Sequence, residues 1–255
     1  MKEIPSFKGG AGVATIEAIR PGMVLEELPG FVSEFPEIAS DERWFVGPVT
    51  EPNERSPLPV IKAMPGKVLI TSTEIDQAEE TMVDKLAEIA PEKLCMIGVA
   101  KGALPLLKEL GDKLRKKDPR YLEENIGKVI TASSYGNGIE SSGRVVTTGD
   151  PGDLKGKYVK VVEDIIDTGT TMRHLRYDLL RREPLAVEVV SLLLKEGTLM
   201  VEQSDLGENM IVGFRVPNLF VVGHGIDWAQ LFRGERDIIG LDPQRAIDIP
   251  ERSAA

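Results

Sequence analysis

The stretch YVKVVEDIIDTGTTM, residues 158–172, decides how this chain is read. Its first residues are a short apolar run of β type, Glu163 and Asp164 follow at the carboxyl end, and Asp167-Thr168-Gly169-Thr170-Thr171 turns into a helix carrying Met172, Leu175 and Leu179 on one face. In open α/β sheets ligands bind beyond the carboxyl ends of the strands, where this loop falls. Glycine permits the tight turn, the threonines add hydroxyl and N–H donors, and a helix N-terminus favours an anion, so the loop reads as a phosphate cradle. Carboxylates would repel phosphate, so Glu163 and Asp164 need another partner: a vicinal diol, or a divalent cation held through its waters. A diol and a phosphate this close together describe a ribose 5-phosphate. Taken alone, Asp and Thr after a strand are ordinary helix caps. The whole string in its strand–loop–helix context says more.

Outward from that segment the pattern repeats. KVLITS (67–72) is a β-like run, and Thr73 is expected to cap a helix with Met82, Leu86 and Ile89 at helical spacing. LCMIGV (94–99) and AVEVVSLLLK (186–195) are continuous apolar runs, as in strands buried on both faces of a parallel sheet. KGALPLLKELGDKLRKK (101–117) reads as a turn and a helix, and KVITAS (128–133), LFVVG (219–223) and DIIGL (237–241) complete the strands. Residues 134–157 form a long Gly- and Ser-rich connection of the kind that serves as a lid. Alternating strands and helices imply right-handed crossovers and an α/β fold with a mainly parallel sheet covered on both sides.

Composition bounds the rest. The 255 residues carry a formal charge of −10 with 42% apolar residues, ordinary usage for a globular chain able to bury a core. That balance argues against a nucleic-acid partner, which needs clustered Lys and Arg in excess. No apolar run is long enough to span a bilayer, and MKEIPSFKGG lacks the apolar stretch of a secretory signal. The single cysteine, Cys95, suits a reducing cytoplasm and reads as core. Two histidines, His174 and His224, are too few and too far apart in sequence to suggest a zinc site. Residues 1–66 are proline-rich and without sustained periodicity, a surface extension of unassigned role; residues 67–245 form the main domain and 246–255 a tail.

VVEDIIDTGTT resembles the phosphoribosyl-pyrophosphate motif of type I phosphoribosyltransferases, and its Glu-Asp form resembles the purine branch for hypoxanthine and guanine. Ala100-Lys101-Gly102 falls where that family has its pyrophosphate loop, Ser134-Tyr135 where it has the Ser-Tyr of its flexible lid, and VGFRVPNLFVVGHGIDWAQLFR (212–233) resembles its purine-binding and C-terminal segment. The resemblance covers roughly residues 67–242 and implies the family's fold with a small C-terminal hood.

Roles follow by resemblance. Glu163 and Asp164 would hold the ribose hydroxyls and, with Asp227, a Mg²⁺ cofactor; Asp167, Thr168, Gly169, Thr170 and Thr171 would hold the 5-phosphate. Asp167 would also accept the purine N7 proton. Lys101, Gly102 and Arg233 would contact pyrophosphate, the peptide bond leading into Lys101 being cis in the family. Lys195 resembles the lysine that donates to a 6-oxo group, with Phe220 stacking on the base and Val221 and Asp227 at its edge. An ammonium has only donors, so it accepts a 6-oxopurine and disfavours adenine. By itself a lysine ending a strand is a solvated side chain and a Phe in LFVVG is core; the joint order of the matches lifts both.

His224 and Trp228 stand where relatives often carry Tyr, Thr170 where some carry Lys, and Ala103 where many carry Gly or Ser. The implied activity is transfer of the phosphoribosyl group to hypoxanthine or guanine, giving IMP or GMP, by a homodimer or homotetramer. Two alternatives remain: a xanthine-preferring enzyme of the same fold, and a regulator sensing phosphoribosyl pyrophosphate.

Overall fold

The computed structural model describes residues 21–22, 24–25, 42–50, 60–134 and 145–250. In chain order the elements begin with β1 (Val24–Leu25), β2 (Glu42–Thr50), β3 (Val60–Ile70), α1 (Ser72–Leu86), β4 (Leu94–Val99) and α2 (Leu104–Lys117). They continue with α3 (Glu123–Ile126), β5 (Lys128–Ser134), β6 (Val145–Thr148), β7 (Tyr158–Ile166), α4 (Thr170–Leu180) and β8 (Ala186–Lys195). The last are β9 (Ile211–Val216), β10 (Phe220–Val222), β11 (Ile238–Leu241) and β12 (Ile247–Pro250). Two compact units result: residues 70–227 with 232–238, and residues 1–69 with 228–231 and 239–255.

The larger unit is built on a sheet of order β6-β5-β4-β7-β8-β9. Its five strands from β5 to β9 are parallel, as the continuous apolar runs predict, and β6 is added antiparallel on β5. Every residue of β4 is buried, and only the two ends of β8 are partly exposed. Each large aliphatic side chain so buried contributes about 1.5–3 kcal/mol. Met172, Leu175 and Leu179 of α4 lie in the same core as Cys95, at the spacing the sequence gives them. Among the described residues no helix is long and apolar enough to cross a membrane.

Register is what assembles the site. Gly98 stands opposite Val162, and Glu163 opposite Ser191. Parallel strands deliver their carboxyl ends to one edge, so residues 100–102, 163–169 and 195 emerge together.

Local departures have simple causes. The cap of α1 is Thr71 rather than Thr73: the Thr71 side chain accepts from the Glu74 amide at 3.3 Å, and Glu74 Oε2 accepts from the Thr71 amide at 2.8 Å. Only Thr71 has a Glu three residues on, which the reciprocal box requires. α1 ends at Leu86, so Ile89 lies beyond it while Met82 and Leu86 are buried. β6 falls within the Gly- and Ser-rich connection, and β9 within a segment read only for its purine contacts; four and six residues leave too little periodicity to read.

In the smaller unit, β2 pairs antiparallel with β1 and β3, and β12 with β3. Trp44, Phe45 and Val46 of β2 are buried. The β2–β3 register slips between Val46 and Val49, around Pro48, whose nitrogen cannot join the ladder. β3 runs unbroken across residues 66 and 67, where the composition changes, and residues 247–250 of the expected tail lie in β12.

Candidate active site

At the end of β7 the two acids behave differently. Asp164 Oδ1 accepts from the Ile165 amide at 2.9 Å, whereas Glu163 Oε2 is buried with no hydrogen-bond partner. Burial, and after it the neighbouring Asp164 charge, push the Glu163 carboxyl well above the usual range. Such a pair is chemically incomplete. A cation, or hydroxyls that donate to it, would complete it.

The loop that follows is shaped by Gly169, the N-cap of α4, in the left-handed region at φ 76°. A side chain there would also run into Val201 and Leu199. Gly169 offers α4 no side-chain cap, and the Thr168 hydroxyl takes only a long bond from the Thr170 amide, at 3.5 Å, so the first-turn amides and the Thr168 and Thr170 hydroxyls together suit an oxyanion. Two contacts brace this loop that sequence reading missed: Thr198 Oγ1 donates to the Asp167 carbonyl and the Met200 amide to the Thr168 carbonyl, both at 2.9 Å. No pattern in the sequence marks either residue.

Lys195, the last residue of β8, lies with its Nζ 3.0 Å from Asp167 Oδ2. The Lys195 side chain is only 15% exposed and that of Asp167 50%, so the cation is held against the strand end while the carboxylate looks outward. The residues expected to read a base and to take a proton are therefore direct neighbours.

Behind β4 the Ala100–Lys101 peptide bond is cis, as the resemblance implied. The Lys101 side chain is exposed. Gly102 is wedged between two groups: a Cβ on it would overlap the Asp164 carboxylate, and its own carbonyl oxygen lies where a Cβ on Gly225 would stand. Arg233 closes this chain of contacts, donating through one terminal nitrogen to the Gly225 carbonyl at 2.6 Å and pairing through the other with Asp227 Oδ1 at 2.5 Å. Phe220 opens β10 with 38% of its surface exposed, unlike a core phenylalanine, while Val221 beside it is buried. Ser134 ends β5, its side chain outside the described residues; Tyr135 lies outside them altogether.

The phosphoribosyl transferase domain family matches residues 70–214. A hypoxanthine-guanine phosphoribosyltransferase of Streptococcus pneumoniae is 35% identical over 170 residues, 66% of this chain and 88% of that one. The bifunctional protein TilS/HprT of Listeria monocytogenes is 39% identical over 181 residues, 70% of this chain; the chain spans only 26% of that relative's length. Among solved structures, a hypoxanthine phosphoribosyltransferase from Trypanosoma cruzi, in complex with the product IMP, superposes with a TM-score of 0.57 at 28% identity, covering 69% of this chain and 94% of that one.

Proposed function

Because the chain belongs to the phosphoribosyltransferase family, we propose that it transfers the 5-phosphoribosyl group of phosphoribosyl pyrophosphate to N9 of hypoxanthine or guanine, releasing IMP or GMP and pyrophosphate. The observation that carries this reading is the 3.0 Å pairing of Lys195 with Asp167 at the edge of the α4 loop. It joins a donor suited to a 6-oxo group to a carboxylate suited to an N7 proton.

In this mechanism the α4 amides and the Thr168, Thr170 and Thr171 hydroxyls hold the 5-phosphate, and Glu163 and Asp164 accept from the ribose hydroxyls. Lys101, the Gly102 backbone and Arg233 face the pyrophosphate, and Phe220 lies against the purine with Val221 and Asp227 at its edge. Lys195 donates to O6. As the C1′–oxygen bond breaks and its electron pair leaves with pyrophosphate, the N9 lone pair closes the new bond to C1′, and the N7 proton passes to Asp167. Fixed geometry does most of the work, since positioning alone accounts for up to about 7–11 kcal/mol of a barrier. Mg²⁺ fits the unpartnered Glu163 Oε2 and its neighbour Asp164, with Asp227 as a further acid, and when bound it would supply charge neutralisation for the departing pyrophosphate. A homodimer or homotetramer is the assembly we expect.

The test is direct. Hypoxanthine incubated with the chain should yield IMP only when both phosphoribosyl pyrophosphate and Mg²⁺ are added. IMP formation that ignores the removal of either would refute the reading.

A further inference from the structure

A second cluster is built from α1, α2 and the turn after β10. Glu79 belongs to the buried face of α1 yet is fully buried itself, and neither of its carboxylate oxygens has a hydrogen-bond partner. Lys113 Nζ approaches Glu79 Oε2 at 3.4 Å, but its three donors are already used by Asp76 Oδ1, the Asp76 carbonyl and Glu80 Oε1. His224, 8% exposed, aims Nε2 at the same point, 3.4 Å from Glu79 Oε1 and 3.9 Å from Glu109 Oε2, again with no hydrogen bond. One ligand atom from each of the three residues lies within 4.8 Å of the other two.

A buried carboxylate with nothing donating to it is costly, and a second carboxylate beside it adds repulsion. One cation between the three side chains would satisfy all of them. For metal–ligand bonds of about 2.0–2.2 Å, tetrahedral ligand atoms stand about 3.4 Å apart. The His224–Glu79 separation already has that value, and Glu109, 46% exposed, can close the rest by side-chain rotation. A cavity of about 220 Å³ lined by Ser72, Glu109, Lys113 and His224 among others leads to the cluster from solvent.

We propose that Glu79, Glu109 and His224 bind a divalent first-row transition metal, Zn²⁺ or a close analogue, at a site separate from the acids at the end of β7. One imidazole with two carboxylates suits such an ion better than Mg²⁺ or Ca²⁺, which take all-oxygen shells. Two histidines far apart in sequence concealed it: His174 is turned to the Thr170 carbonyl, and His224 finds its partners on two helices. The ion would tie α1 and α2 to the turn whose Gly225 packs on Gly102 and receives Arg233.

The probe is Co²⁺, titrated into the whole 255-residue chain stripped with a chelator, in the absence of phosphoribosyl pyrophosphate. We expect one Co²⁺ per chain with the visible absorption of a tetrahedral site, displaced by Zn²⁺. Glu109→Gln, at an exposed position expected to fold normally, and His224→Phe should each weaken binding at least 100-fold, while Glu163→Gln keeps it. Absorption and affinity unchanged in both cluster variants would overturn the proposal, as would a wild-type chain that neither absorbs with Co²⁺ nor shifts its melting midpoint with Zn²⁺.

Discussion

Lys195 Nζ and Asp167 Oδ2 lie 3.0 Å apart, one at the end of β8 and the other just beyond β7. Neighbouring parallel strands in register bring the two together, with Ile166 opposite Leu194. If Asp167 receives the N7 proton, Asp167→Asn removes the acceptor but keeps the shape. General-base contributions run to about 10²–10⁴-fold. We expect kcat to fall within that range with both KM values nearly unchanged, as read by steady-state kinetics; normal turnover would remove Asp167 from the role.

Lys195→Met addresses the other half of the pair. A hydrogen bond to a charged group is worth about 1.5–3 kcal/mol. KM for hypoxanthine should therefore rise roughly 10–100-fold, with discrimination against adenine reduced. Competition assays with the two bases read both effects.

Gly102→Ala puts a methyl group where the Asp164 carboxylate stands. Either the loop or the Asp164 carboxylate must shift, and both face the phosphoribosyl pyrophosphate site, so KM for that substrate should rise sharply. Circular dichroism and the melting midpoint should stay close to wild type, because Gly102 lies outside the sheet core. An unchanged KM would show that the close approach of Gly102 and Asp164 plays no part in holding that substrate.

Inside the sheet, Lys160 and Glu188 face each other across β7 and β8, both buried and paired, with Asn209 Nδ2 donating to Glu188 at 2.8 Å. Burial alone would raise the Glu188 carboxyl, but the Lys160 and Asn209 hydrogen bonds outweigh it and hold the group below its ordinary value of 4.5. A depressed acid stabilises fully above its unfolded pKa, and the contribution fades as pH falls through the folded one. Glu188→Gln leaves Lys160 buried without a counter-charge and should cost about 3–5 kcal/mol at pH 7 in urea unfolding. Its deficit against wild type should narrow only below pH 4.5.

How much of this was legible in the sequence differs from place to place. The β7–α4 segment could be read because a buried strand, two acids and a Gly-containing turn lie consecutively, and local chemistry specifies each. LCMIGV announced a doubly covered strand for the same reason. The Lys195–Asp167 pair and the wedge of Gly102 between Asp164 and Gly225 were not legible, since they depend on strand register and on a turn far along the chain. Glu79 was hidden most thoroughly. On α1 it occupies a core position between Ile75 and Met82, where a charged residue breaks the apolar pattern without saying what it faces.

The most direct test of the central claim is a comparison of kcat/KM for hypoxanthine, guanine, xanthine and adenine, with phosphoribosyl pyrophosphate and Mg²⁺ at saturation. The donor-only Lys195 and the carboxylate of Asp167 predict hypoxanthine or guanine first and adenine last by at least a hundredfold. Xanthine in first place would reassign the enzyme within its fold, and preferred turnover of adenine would contradict the account of Lys195 outright.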